Sequence, residues 1–164
     1  MATYTKIKIT VDAKRAIQRM HDMKRRGRDF VPLFEEARIA MEAWNSANFT
    51  QGGLPSGKRW NALSADYSSW KRLTRPGAPL MVRSGRLFRS LVSLRGNPNV
   101  ITPLYAEFGT DLEYAKFHQY GTTRMPKRKI VFEPPMFARR MGKAAARYQA
   151  HGLIDSSSLL NTNI

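Results

Sequence analysis

Residues 30–49 read FVPLFEEARIAMEAWNSANF and carry the strongest periodic pattern in the chain. Apolar side chains such as Leu33, Ala37 and Trp44 recur every three or four positions, which is the spacing of one helix face. Pro32 falls in the first turn, where a proline is tolerated. We therefore predict an amphipathic helix from about residue 31 to 48, with its aromatic stripe in the protein core.

The segments on either side of this helix are predicted from the same kind of spacing. Residues 3–11 alternate polar and apolar side chains, which indicates a strand, and a helix capped by Asp12 follows. Residues 50–58, TQGGLPSGK, predict a loop. Trp60 to Leu73 is spaced for a short helix capped by Ser64.

The second half of the chain predicts shorter elements. We expect a helical turn from Ser84 that merges into a strand over residues 91–95, a strand over 100–109, a helix over 112–120 that stops at Gly121, a short strand over 130–132 and a helix over 136–151. The fold class predicted is α+β, with N-terminal amphipathic helices on a small antiparallel sheet, long basic loops and a C-terminal helix. Residues 1–152 are expected to form one domain, and 153–164 a flexible or partner-ordered tail.

Composition excludes several protein classes. The chain has 164 residues, a formal net charge of +16 and no cysteine, which excludes disulfide scaffolds, thiolate zinc sites and cysteine nucleophiles. No apolar run approaches the roughly 20 residues that cross a bilayer, and the N-terminus lacks the apolar core of a secretory signal. We expect a soluble protein with no membrane partner.

The positive charge is concentrated in the middle of the sequence. Residues 50–99 hold nine Lys or Arg and a single acid, Asp66. Ordinary surfaces mix both signs, so this segment favours contact with phosphates, although a solvated basic face kept for solubility is the alternative.

Motifs for catalysis are missing from the sequence. There is no phosphate-binding loop and no dinucleotide fingerprint, and the three histidines lie far apart, so no cofactor or metal is predicted. Glu107, Asp111 and Glu113 are close enough in sequence to suggest a metal-dependent nuclease, but helix capping at a strand-to-helix junction is the simpler explanation. We expect that the protein is not an enzyme.

Aromatic and cationic residues alternate between positions 59 and 89. One interpretation is a stand-alone nucleic-acid-binding module in which bases stack on rings; the other is that the rings lie in the core or at subunit contacts while the cations face outward. The residues concerned are Trp60, Tyr67, Trp70 and Phe88, among Arg59, Lys71, Arg72, Arg86 and Arg89.

The order of short motifs over residues 44–130 resembles the virion morphogenesis, or tail-completion and neck, proteins of tailed bacteriophages. The family's patterns read G-x-x-W-x-x-L, L-x-x-[ST]-G-x-L-x-x-S and YA-x-x-H-Q-x-G, followed by a proline-arginine segment. Here they correspond to Gly57, Trp60 and Leu63, then to residues 84–90 (SGRLFRS), 114–121 (YAKFHQYG) and 125–128 (MPKR).

The resemblance implies a structural protein of the virion that assembles in the host cytoplasm. It implies a homo-oligomeric ring, taken as a hexamer, at the head–tail junction, between the connector or head-closure proteins and the tail terminator or tail tube. Double-stranded DNA would pass through the bore without sequence preference. From their charge we expect these residues to line the channel: Arg72, Arg75, Arg83, Arg86, Arg89, Arg124, Lys127, Arg128 and Lys129.

A second set of residues is expected to matter for subunit contacts or for the motif itself: Trp60, Tyr114, His118, Gln119, Tyr120 and Gly121. His118 could form a ring-to-ring hydrogen bond or a pH-responsive contact, or it could satisfy a backbone carbonyl at a helix end. Gly121 is expected to matter for its backbone conformation.

Overall fold

The computed structural model describes residues 13–96, 98–134, 136–154 and 159. The strand predicted over residues 3–11 and the cap at Asp12 lie outside the described residues. Within them the helices are α1 (Ala13–Arg26), α2 (Val31–Thr50), α3 (Ala65–Thr74), α4 (Arg86–Val92), α5 (Ala115–Tyr120) and α6 (Phe137–His151), with a 3₁₀ turn at Leu54–Ser56. The strands β1 (Val100–Ile101) and β2 (Ala106–Glu107) form an antiparallel pair. The α+β prediction is confirmed.

Helix α2 is the central element, and the helix predicted over residues 31–48 is confirmed. Its N-cap residue, Phe30, makes no side-chain cap, but the Asp29 carboxylate before it accepts a hydrogen bond from the Val31 N–H at 3.0 Å. Leu33 and Trp44 of α2 pack with Ala144 of α6 in one apolar cluster, which also contains Leu159 of the predicted C-terminal tail.

A second apolar cluster lies at the other end of α2. Phe49 packs there with Trp60, with Leu91 of α4 and with the fully buried Ile130. Because α2 contributes to both clusters, it joins the α6 side of the molecule to the loops that follow α3 and α5.

Two predicted strands are absent, and side chains explain why. Residues 91–95 end α4 and then form a loop instead of a strand. Asn45 donates to the Leu91 carbonyl at 2.7 Å, and the Glu42 carboxylate accepts from the Leu94 N–H at 2.8 Å. The strand predicted over residues 130–132 is likewise an irregular segment. The backbone of this segment forms hydrogen bonds with the side-chain amide of Gln119.

The aromatic periodicity also gave one wrong boundary. Helix α3 begins at Ala65, directly after the predicted cap position Ser64, whose side chain makes no capping hydrogen bond. Trp60 and Leu63, expected on the face of this helix, therefore precede it. Trp60 faces the core from an irregular segment, fixed by a 2.7 Å hydrogen bond from its backbone N–H to the Gly52 carbonyl.

Candidate functional site

Residues of the short sequence motifs converge on the segment 128–131. The Lys129 carbonyl accepts two hydrogen bonds, one from the Trp60 indole N–H and one from the Asn48 amide, each at 3.1 Å. Trp60 is 8% exposed and packs edge-on against Phe49 with ring centroids 5.4 Å apart. Trp60 is therefore a core residue that also holds this segment in place.

Gln119 acts as a substitute for a neighbouring strand. Its Oε1 accepts from the backbone N–H groups of Ile130 and Val131 at 2.9 and 3.0 Å, and its Nε2 donates to the Val131 carbonyl at 2.8 Å. One side chain thus makes hydrogen bonds with three backbone groups. The position of Gln119 in the sequence motif does not by itself reveal this role.

Two glycines of the motif region are required by close packing. Gly53 has φ +92°, and a Cβ there would lie 2.4 Å from the Trp60 ring. Gly121 ends α5 with φ +79°, and a Cβ there would lie 2.9 Å from the Lys127 backbone nitrogen. The expectation that Gly121 serves the backbone agrees with this geometry, although its ψ of 176° lies outside the left-handed helical region.

A cleft of about 750 Å³ opens between α3, the loop after it, the start of α4 and the loop after α5. Six of its lining residues are Lys or Arg, and no Asp or Glu is among the described residues that line it. The cations are Lys71, Arg75, Arg83, Arg86, Arg124 and Arg128. We call it the basic cleft.

Two of these cations are internal parts of the fold. Lys71 is 5% exposed, and its ammonium donates to the carbonyls of Pro79 and Leu80. Arg128 is 4% exposed, and its guanidinium donates to the carbonyls of Asn61 and Ala62 at 3.1 and 3.0 Å. Burial lowers the pKa of both side chains.

Of the cations predicted to face DNA, Arg128 is buried and the other eight are exposed. Four of them, Arg75, Arg83, Arg86 and Arg124, line the basic cleft. The remaining four, which do not line it, are Arg72, Arg89, Lys127 and Lys129. The structure brings part of the predicted set together and leaves Arg128 inside the protein.

The aromatic residues divide between core and surface. Trp60 is buried, whereas Tyr67 and Trp70 are 37% and 41% exposed and stack with ring centroids 5.4 Å apart. The Arg83 guanidinium carbon lies 5.3 Å from the centroid of the Trp70 ring, a cation–π contact. Helix α3 thus presents a partly exposed aromatic pair beside the cleft.

His118 lies on α5 at the wall of the basic cleft, edge-on to Tyr114 at 6.3 Å between ring centroids. Its Nδ1 is buried and has no hydrogen-bond partner among the described residues, so this atom does not satisfy a backbone carbonyl. Burial, and secondarily the positive charge of Arg128, lower the pKa of His118. Tyr120, at the end of the same helix, is 76% exposed.

The acids considered for a nuclease do not form a metal site. Among the residues that the structure describes, no group of three His, Asp or Glu side chains could hold a metal ion. Capping does not explain them either, because α5 begins at Ala115 with no side-chain capping hydrogen bond. Likewise, no helix in the described ranges is long and apolar enough to span a bilayer.

The sequence did not reveal that two residues of this region, Lys71 and Asn48, hold the fold together from buried positions. The sequence places Lys71 among the outward-facing cations, and nothing in its spacing signals that its ammonium bonds the loop carbonyls of residues 79 and 80. Asn48 falls on the buried face of α2, and a polar residue at a core position is the signal that could have indicated a buried partner.

Comparison with known proteins gives two matches. The sequence profile of the phage virion morphogenesis family matches residues 11–152. The Mu-like prophage FluMu G protein 1 of Haemophilus influenzae is 37% identical over 78 residues, which cover 47% of this chain and 50% of that protein. The match thus spans half the length of that relative. No solved structure matches the chain.

Proposed function

The chain belongs to the phage virion morphogenesis family, and we propose that it is a ring-forming component of the junction between phage head and tail. Membership indicates a structural, virion-associated role. The finer proposal is a closed ring of identical copies, a hexamer, that joins the connector or head-closure proteins to the tail terminator or tail tube around the DNA channel.

The charge distribution supports the DNA part of this proposal. Eight of the predicted cations are exposed, three on helices α3 and α4 and five on the loops after α3 and α5, and residues 50–99 carry a single acid. A ring that surrounds a duplex places such cations beside phosphates, where counterion release stabilises the contact. Phosphate contacts carry no sequence information, which suits DNA that must slide through. Arg128 is left out of the DNA-facing set because its guanidinium bonds two carbonyls of its own chain.

The observation that carries the proposal is the family match over residues 11–152. A test is to disrupt the gene in the phage and to complement it in trans. We expect full heads and finished tails to accumulate separately without the protein, and the chain to be found by mass spectrometry in complemented virions. Joined, infectious particles that lack the chain would overturn the proposal.

A further inference from the structure

Three acids of the chain have no structural explanation within one copy. Glu107, Asp111 and Glu113 are exposed, and in the described part of the chain none has a side-chain hydrogen bond or an ion pair. They lie within seven residues in a chain of only 12 acids. We call residues 107–113 the acidic segment.

The basic cleft holds cations that have no acidic partner among its lining residues. Lys71 and Arg128 bond carbonyls of their own chain, but Arg75, Arg83, Arg86 and Arg124 line the cleft with no carboxylate beside them. Like charges held together in a cavity repel one another, and an anionic occupant removes that repulsion. The cleft volume of about 750 Å³ is in the range of binding pockets.

We propose that the acidic segment of one copy docks into the basic cleft of the next copy. At a formal net charge of +16, most pairs of faces on two copies repel each other, whereas this pair attracts. Tyr105, which lies two residues before the segment, is 54% exposed and supplies apolar surface. The cleft offers matching apolar walls from Leu80 and Met81.

This contact is heterologous, because two different surfaces of the same chain meet. Such interfaces generate a ring when the rotation between copies closes. The inference rests on the proposed ring and names its contact surfaces. Four cations outside the cleft remain to face the DNA: Arg72, Arg89, Lys127 and Lys129.

The shape of the cleft favours a peptide segment over duplex DNA as its occupant. The phosphates of a duplex lie on a wide convex surface, so they reach the rim of a cavity and leave its inner walls unfilled. A single extended segment can enter and place carboxylates against guanidinium groups, which pair with two parallel hydrogen bonds.

The test uses two full-length variants that each lose one side of the contact. A cleft variant carries Arg83→Glu and Arg86→Glu, and a segment variant carries Glu107→Gln, Asp111→Asn and Glu113→Gln. We expect each alone to self-associate about tenfold or more weakly than the wild-type chain, measured by sedimentation in low salt. Mixed together, they should form a one-to-one dimer, because the intact segment of the first fits the intact cleft of the second.

A control matched to the cleft variant carries Lys14→Glu and Arg19→Glu on α1. These substitutions change the net charge by the same amount as Arg83→Glu with Arg86→Glu, but they lie outside the cleft. It should self-associate like the wild-type chain. The dimer of the two variants also shows that both are folded.

The proposal is overturned if both variants associate like the wild-type chain, or if their mixture gives no dimer. It is also overturned if the cleft variant loses duplex DNA binding while its self-association is unchanged, since the cleft would then be a nucleic-acid site. Either result leaves the junction role intact if the chain is still found in joined virions, so the two proposals fail separately.

Discussion

The amide of Gln119 shows how one side chain can replace a β-strand partner. It makes three hydrogen bonds to the backbone of Ile130 and Val131, and Ile130 is fully buried. Unpaired polar groups at a buried backbone are costly, so this side chain contributes more than an ordinary surface glutamine.

Replacing Gln119 by Met keeps the length of the side chain and removes all three hydrogen bonds. We expect the free energy of unfolding to fall by about 1–3 kcal/mol, measured by urea denaturation. Gln18→Met on α1 is the matched control and should change stability by less than about 0.5 kcal/mol. Equal effects of the two substitutions would contradict the strand-substitute role.

His118 gives the protein a stability that depends on pH. Burial and Arg128 lower its pKa, so acidification from about pH 7 protonates the unfolded chain before the folded one. The unfolded state then binds more protons, and stability falls as the pH drops through the ordinary histidine range. Thermal unfolding of His118→Gln should show a smaller loss between pH 7 and 5.5 than the wild-type chain. An identical loss would contradict the lowered pKa of His118.

At the level of elements, contacts of Gly53 and Trp60 link two loops of the fold. The 3₁₀ turn and the segment after it bring Gly53 against the Trp60 ring, and Trp60 in turn bonds the Lys129 carbonyl. The loop after α2 and the segment 128–131 are thus coupled through one indole ring.

Gly53→Ala should therefore destabilise the protein beyond the backbone penalty of its positive φ. Gly57→Ala is the matched control, because Gly57 has φ +99° but no atom within 4 Å of an added Cβ. We expect the first substitution to cost about 1–3 kcal/mol more than the second, the usual cost of overpacking, in thermal denaturation. A difference near zero would show that the ring moves aside freely.

Sequence periodicity predicted the long helices well and the short elements poorly. Helix α2 follows from apolar spacing over many turns, and helix α6 from its Ala- and Arg-rich composition. Helix α3, in contrast, starts only at Ala65, because Trp60 packs as a core residue from the irregular segment before it. The strands expected over 91–95 and 130–132 do not form, because side chains take the backbone hydrogen bonds that a neighbouring strand would make. These side chains are Asn45, Glu42 and Gln119. Side-chain-to-backbone pairing across more than ten residues leaves no periodic signal.

The same limit applies to the candidate site. Charge counting located the basic segment, but it could not separate the exposed Arg72 from the buried Lys71 beside it. Nor could it show that Arg128 bonds the carbonyls of residues 61–62. Those distinctions depend on which loop folds over which side chain.

At the scale of the whole molecule, the net charge of +16 is the basis of the proposed contact with DNA. We expect the purified chain to bind duplexes of unrelated sequence with equal affinity, with binding that weakens steeply as salt rises. Arg72→Ala with Lys127→Ala should reduce the slope of log K against log salt by about 2 if both residues contact phosphate. An unchanged slope would remove these two residues from the DNA-facing set.

The most direct test of the junction ring is a side-chain-resolution reconstruction of the intact virion between head and tail. We expect a closed circle of copies of this chain, with Arg72, Arg89, Lys127 and Lys129 within about 8 Å of the DNA, the range over which exposed charges interact in physiological salt. A chain that lies elsewhere in the particle, or whose cations point outward to bulk solvent, would contradict it.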